Sequence, residues 1–163
     1  MVTVREATER DSDAMLDLHV ASIRAFGPDA YDDGQVDAWA YTEGGPSYPI
    51  DDPGHVVVVA EAADGPLVGF GDVSPSENEL YAVYVHPDHA RVGVGTAILD
   101  CLERTARQRG ADYLELTASK NAVGFYEQAT YERLGLVEHE PSGPHDVTLE
   151  CVRMRKSFDR VTE

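Results

Sequence analysis

Cations are scarce in this chain. Its 163 residues include two lysines, Lys120 and Lys156, and thirteen basic residues in all, against thirty acidic ones. The formal net charge is −17, which excludes a nucleic-acid partner because its phosphates would be repelled. No run of 18 apolar residues is present, which excludes a transmembrane helix. The opening stretch MVTVREATERD is charged from Arg5 onward and lacks the apolar segment of a secretory signal. A cytoplasmic location is therefore expected. There are only two cysteines, Cys101 and Cys151, and they lack metal-ligand spacing. One falls in an expected helix and the other in an expected strand, so both read as buried and reduced. Internal repeats and low-complexity tracts are also missing.

The hydrophobic content of 42% is enough for a core, and the length fits one domain spanning residues 1–163. The apolar pattern is too strong for disorder. An excess of Asp and Glu with little Lys resembles the proteins of extreme halophiles, where concentrated salt screens the internal repulsion. An ordinary acidic cytosolic protein is the alternative.

Val2 to Glu6 alternates and predicts a first strand. Thr8 and Asp11 have the spacing of a capping box. Met15, Leu18, His19, Ser22, Ile23 and Phe26 recur at three and four residues, predicting a helix that ends near Gly27 before Pro28. Gln35 to Tyr41 reads as a short helix, and Gly44 to Gly54 as a loop. The run His55 to Ala60 is continuously β-branched, hence a strand buried on both faces. Ala63-Asp64-Gly65 turns it into a partner at Leu67 to Val73, and Glu79 to Val85 is a third long strand. Thr96 to Arg109 predicts a helix with an apolar stripe of Ile98, Leu99, Leu102 and Ala106, capped by Gly110. A short strand at Tyr113 to Leu116, a helix at Asn121 to Gln128, and strands at Tyr131 to Val137 and Val147 to Met154 complete the order β-α-α-β-β-β-α-β-α-β-β. Several links are too short for crossovers, so the fold class is α/β with a mixed sheet.

The stretch HPDHARVGVGTAIL, residues 86–99, sets two glycines at the start of the clearest helix. A dinucleotide fingerprint would need Gly or Ala at residue 98, which is Ile, and a turn directly after the strand. A GxxxxGK[ST] phosphate loop is missing. Two readings remain: a tight turn with glycine for backbone freedom, or a cradle in which the amides of residues 91–96 and the helix N-terminus face a diphosphate. Under the second, a Cβ at Gly93 or Gly95 would hold phosphate oxygens off the main chain.

The longer stretch LYAVYVHPDHARVGVGTAIL resembles the central motif of the GCN5-related N-acetyltransferase (GNAT) family, a strand ending in V-x-P, then [Q/R]-x-x-G-x-[G/A] and a helix. Ala90 departs from the usual Gln or Arg, with Arg91 one residue later. SKNAVGFYEQATYERLG resembles the later motif N-x-x-A-x-x-F-Y-E-x-x-G-F, with Ser119 at the Asn, Thr130 at the Gly and Tyr131 at the Phe. The resemblance implies the GNAT fold, acetyl-CoA as co-substrate without a metal, and transfer of the acetyl group to an amine by direct attack in a ternary complex. The same fold holding acyl-CoA as a sensor without turnover is the alternative, and a homodimer is compatible with the resemblance. The implied cofactor-binding residues are Val83, Tyr84, Val85, Ala90, Arg91, Val92, Gly93, Val94, Gly95, Thr96, Ser119, Asn121 and Tyr126.

Tyr126 matches the family tyrosine that protonates the departing thiolate. Its alternative is a core aromatic beside Phe125. Glu79, 14 residues before Gly93, stands where some members of the resembled family carry a catalytic glutamate, and the resemblance makes it the candidate general base. Its alternatives are a merely solvated strand residue and a water chain that takes the proton. Phe26, Tyr31, Trp39, Tyr41, His139 and His145 are candidates for the acceptor pocket, Trp39 being equally readable as core. His86-x-x-His89 is a poor metal motif because Pro87 intervenes.

Overall fold

The computed structural model describes residues 2–40, 48–90, 92–141 and 146–158. The strands are β1 (Val2–Glu6), β2 (Val56–Ala62), β3 (Leu67–Ser74), β4 (Glu79–Val85), β5 (Tyr113–Ser119), β6 (Glu132–His139) and β7 (Leu149–Ser157). The helices are α1 (Ser12–Phe26), α2 (Asp33–Trp39), α3 (Val94–Gln108) and α4 (Val123–Gln128). Their succession is the one expected from the sequence. All seven strands join one sheet in the order β1-β2-β3-β4-β5-β7-β6. Every neighbouring pair is antiparallel except β4 and β5.

Helices cover both faces of the sheet. The continuous valine run of β2 divides between them. Val56, Val58 and Ala60 pack with Ile98, Leu99, Leu102 and Ala106 of α3. Val57 and Val59 pack with Met15 and Leu18 of α1. Further along the α1 face, Ile23, Tyr31 and Val36 meet Leu149 and Cys151 of β7. Helix α3 lies close because β3 has glycine beneath it: a Cβ at Gly71 would sit 2.6 Å from a Leu102 methyl. Leu102 is wholly buried, so Leu102→Ala would destabilise the fold by about 2–5 kcal/mol.

Three local differences from the sequence reading matter. Strand β5 runs three residues past Leu116, because Thr117, Ala118 and Ser119 pair with Arg153, Val152 and Cys151 of β7. Helix α3 begins at Val94 rather than Thr96, with Gly93 as its N-cap. Cys151 is buried, as expected, whereas Cys101 is only partly so; both are free thiols.

The feature that creates a site is the β4–β5 pair. These parallel strands align only at Glu79 and Glu115, supported by the Glu115 N–H donating to the Asn78 carbonyl at 2.8 Å. Beyond that point they diverge. On its other edge β4 stays bonded to β3, but the register jumps from Asp72↔Ala82 to Val73↔Leu80, leaving Tyr81 as an extra residue. Such a bulge bends its strand and increases the local twist, and here it lies where β4 leaves β5.

Candidate active site

A cleft of roughly 730 Å³ occupies the gap between the parting strands. It is walled by β4 from Tyr81 to Val85, by the end of β5 from Thr117 to Ser119, by the starts of α3 and α4, and by residues of α1 and α2. Ala90, Gly93, Gly95, Thr96, Asn121 and Tyr126 line it, as do Val83, Tyr84, Val85 and Ser119. Ten of the implied cofactor residues, distant in sequence, thus meet at one opening.

At the α3 end of the cleft the wall includes the main chain of Gly93 and Gly95. The first helical hydrogen bond of α3 runs from the Ala97 N–H to the Gly93 carbonyl at 3.0 Å. The amides of Val94, Gly95 and Thr96 therefore precede the ladder, and the positive end of the helix dipole lies among them. Gly93 has φ +91° with open space where a Cβ would stand, a conformation that side chains strongly disfavour. Gly95 has a different reason. A Cβ there would come within 3.1 Å of the Phe125 ring, so this glycine first of all lets α3 and α4 approach each other. Val92 is 73% exposed and Val94 is 3% exposed in the core; neither lines the cleft. Arg91 lies outside the described residues.

Tyr126, on α4, is 7% exposed and belongs both to the core and to the cleft wall. Its ring meets Phe125 and Tyr131 edge-on, with centroids 5.0 and 5.7 Å away. Burial raises its phenol pKa well above the ordinary range, so Oη holds its proton at neutral pH. Helix α4 ends in a Schellman motif: the Thr130 N–H donates to the Glu127 carbonyl and the Tyr131 N–H to the Tyr126 carbonyl, both at 3.0 Å. Thr130 takes the left-handed position at φ +73°. The residue standing where the family motif has glycine thus keeps glycine's backbone conformation. Behind Tyr131, Glu103 accepts from the Tyr131 hydroxyl and from Lys156 Nζ, each at 2.8 Å.

On the α1 side, Ser22, Ile23, Phe26, Asp29 and Trp39 complete the wall. Trp39 serves both readings, packing with Ile23 and Val36 while facing the cleft. Under this wall the His19 ring stacks on Tyr84 at 4.2 Å and contacts Phe70 at 5.6 Å. Burial pushes its pKa down to about 4, so the imidazole is neutral. The Tyr84 phenol is pushed up to about 12, again by burial.

Several expected site residues stand elsewhere. Glu79 is not in the cleft wall. Arg153 of β7 grips its carboxylate with both terminal nitrogens, at 2.7 and 2.5 Å, and also reaches Glu115 at 3.2 Å and the Thr117 hydroxyl at 3.0 Å. Glu79 and Glu115 are register partners, and the guanidinium offsets their repulsion. Tyr31 is buried away from the opening. Its hydroxyl donates to the Glu150 carbonyl at 2.6 Å and accepts from the Lys120 N–H at 3.0 Å. His139 is exposed near the end of β6, outside the wall. Tyr41 and His145 lie outside the described residues. The ring of His86 accepts from the Asp88 N–H at 3.1 Å, and among the described residues no group of three or more His, Cys, Asp or Glu could hold a metal ion.

The wall residues that sequence reasoning missed include Ser22, Asp29, Thr117 and Gln128. A longer β5 would have signalled Thr117; nothing local marks Asp29.

The opened parallel pair and the helix start with bare amides bring the residues of the two motifs together at one cleft. Comparison with known proteins agrees. A crystal structure of a GCN5-related N-acetyltransferase from Rhodopseudomonas palustris superposes with a TM-score of 0.81 at 29% identity, covering 96% of this chain and 95% of that one. PaiA N-acetyltransferase from Thermoplasma acidophilum, solved in complex with coenzyme A, shares the fold with a TM-score of 0.73 at 18% identity over 97% of this chain and 99% of its own. An uncharacterised N-acetyltransferase of Methanocaldococcus jannaschii is 26% identical over 148 residues, 83% of this chain; the match spans 63% of that relative's length. Residues 33–157 match the family model of the acetyltransferase (GNAT) domain. The chain belongs to the GNAT family.

Proposed function

We propose that the chain transfers an acetyl group from acetyl-CoA to an amine, by direct attack while both substrates are bound. The observation that carries this reading is the conjunction of the unladdered amides at Val94–Thr96 with the gap between β4 and β5. The first suits a diphosphate, and the second leaves the β4 edge free to pair with an amide-bearing arm. When bound, the co-substrate supplies an activated acyl thioester. In this reading a main-chain N–H near Val85 polarises the acyl carbonyl, and Tyr126 Oη gives its proton to the sulfur that leaves. Both oxygens of Glu79 are engaged by Arg153, so we assign the amine's proton to water in the cleft and give Glu79 a structural role. An unchanged pH–rate profile for Glu79→Gln supports that assignment; loss of the basic limb restores Glu79 as base.

Calorimetry with coenzyme A, followed by thiol release against an amine panel, tests the function. Saturable binding and thiol release with at least one amine are expected. Binding without release for any amine favours a sensor, and no binding overturns the reading. We further propose that the chain is one catalytic domain working in the cytoplasm, as a monomer or homodimer, and that its acid excess is an adaptation to salt. A melting midpoint higher in molar KCl than at low salt is the expected outcome; equal midpoints remove the salt reading.

A further inference from the structure

The chain has thirty acidic residues, yet among the described residues the cleft wall carries one carboxylate, Asp29, and no cationic side chain. Asp29 closes the short turn Gly27–Asp29 that follows α1. The nearby guanidinium of Arg24 is engaged elsewhere, donating to Asp37 of α2 at 2.8 Å, and no described residue forms a hydrogen bond or ion pair with Asp29. Close to it in sequence and on the same wall are the rings of Phe26 and Trp39 and the side chain of Ile23. This combination is selective. Apolar and aromatic surface accepts a methylene chain, and aromatic faces with an unpaired carboxylate attract an ammonium. An acceptor bearing its own carboxylate meets no described counter-charge and one like charge.

We infer that the acceptor is a diamine-type cation, a primary amine whose aliphatic chain ends in a second positive charge, and that Asp29 reads that second charge. The proposal rests on the transfer reading only for which nitrogen reacts. It needs no step beyond amide formation at one nitrogen, while the other stays protonated.

Three probes of equal length test it: 1,5-diaminopentane, pentylamine and 5-aminopentanoate, compared at the lowest salt that keeps the protein folded, since molar salt screens such contacts. The kcat/KM of the diamine is expected to exceed that of pentylamine by about fivefold, the scale of one partly exposed charge contact, with 5-aminopentanoate lowest. In Asp29→Asn the diamine-to-pentylamine ratio should fall towards one. In Asp29→Lys the order should reverse in favour of 5-aminopentanoate. Calorimetric binding of the same three compounds to the coenzyme A-saturated protein gives a readout that needs no turnover. Preferential diamine binding without thiol release upholds the subsite and removes the transfer reading. Turnover of diamine and pentylamine at equal efficiency, or a ratio that survives both substitutions, overturns the subsite and leaves the transfer reading intact.

Discussion

The two ends of the β4–β5 pair differ in almost every respect. At the joined end, two register-matched carboxylates, Glu79 and Glu115, are held by Arg153 from a third strand. At the open end the walls are main chain, small residues and aromatic rings, and the polar groups on offer are amides, hydroxyls and phenols, with Asp29 the one carboxylate among the described lining residues. Charge pinned by a partner closes a sheet, and polar groups left without one make a binding site. The same strand does both within seven residues because a bulge at Tyr81 separates the two regimes.

Substitutions at either end test that division. The largest effect is expected at the open end, where Tyr126→Phe keeps the ring and removes the proton. kcat should fall about 100-fold with a much smaller change in KM; steady-state kinetics checks this, and an undiminished kcat would put the proton elsewhere. Next comes His19, beneath the open end. Its folded pKa is about 4 against an ordinary 6.5, so between those values the unfolded chain binds a proton that the folded chain does not. Stability should be unaffected by this group above pH 6.5, decline as the pH falls, and level off near pH 4, by about 3 kcal/mol in all. Urea titrations across that range, compared with His19→Gln, isolate the contribution. At the joined end Arg153→Met leaves two carboxylates facing each other and should destabilise by about 2 kcal/mol; adding Glu79→Gln should recover part of the loss, which a double-mutant cycle measures. The smallest effect has the opposite sign. Thr130→Gly relieves a left-handed β-branched residue and should stabilise by about 0.5–1 kcal/mol, less whatever the bond from its hydroxyl to the Ala129 carbonyl contributes.

What could be read beforehand follows the range of the forces involved. The span of β4 was legible to the residue, because an unbroken run of apolar and aromatic residues, Leu80 to Val85, lies between Asn78-Glu79 and His86-Pro87. The burial of β2 on both faces was legible from a run of valines. The strand residues Thr117 to Ser119 were not, since their strand character comes from pairing with β7 rather than from their own propensity. The partner of Glu79 was illegible for a related reason: Arg153 is 74 residues away, and no local pattern announces a guanidinium arriving from another strand. Gly93 and Gly95 looked alike in sequence, yet one is required by its dihedral angle and the other by a neighbouring ring. The motifs located the half of the cleft wall on β4, α3 and α4 and left the half on α1 and α2 to contacts made between helices.

The hydroxyl of Tyr31 ties these halves together. Rooted between α1 and α2, it binds the carbonyl of Glu150 and the amide of Lys120, one residue from Ser119 of the cleft wall. One phenol thus fastens the segment between α1 and α2 to β7 and to the turn after β5 at a single point, and removing its hydroxyl would release both attachments at once.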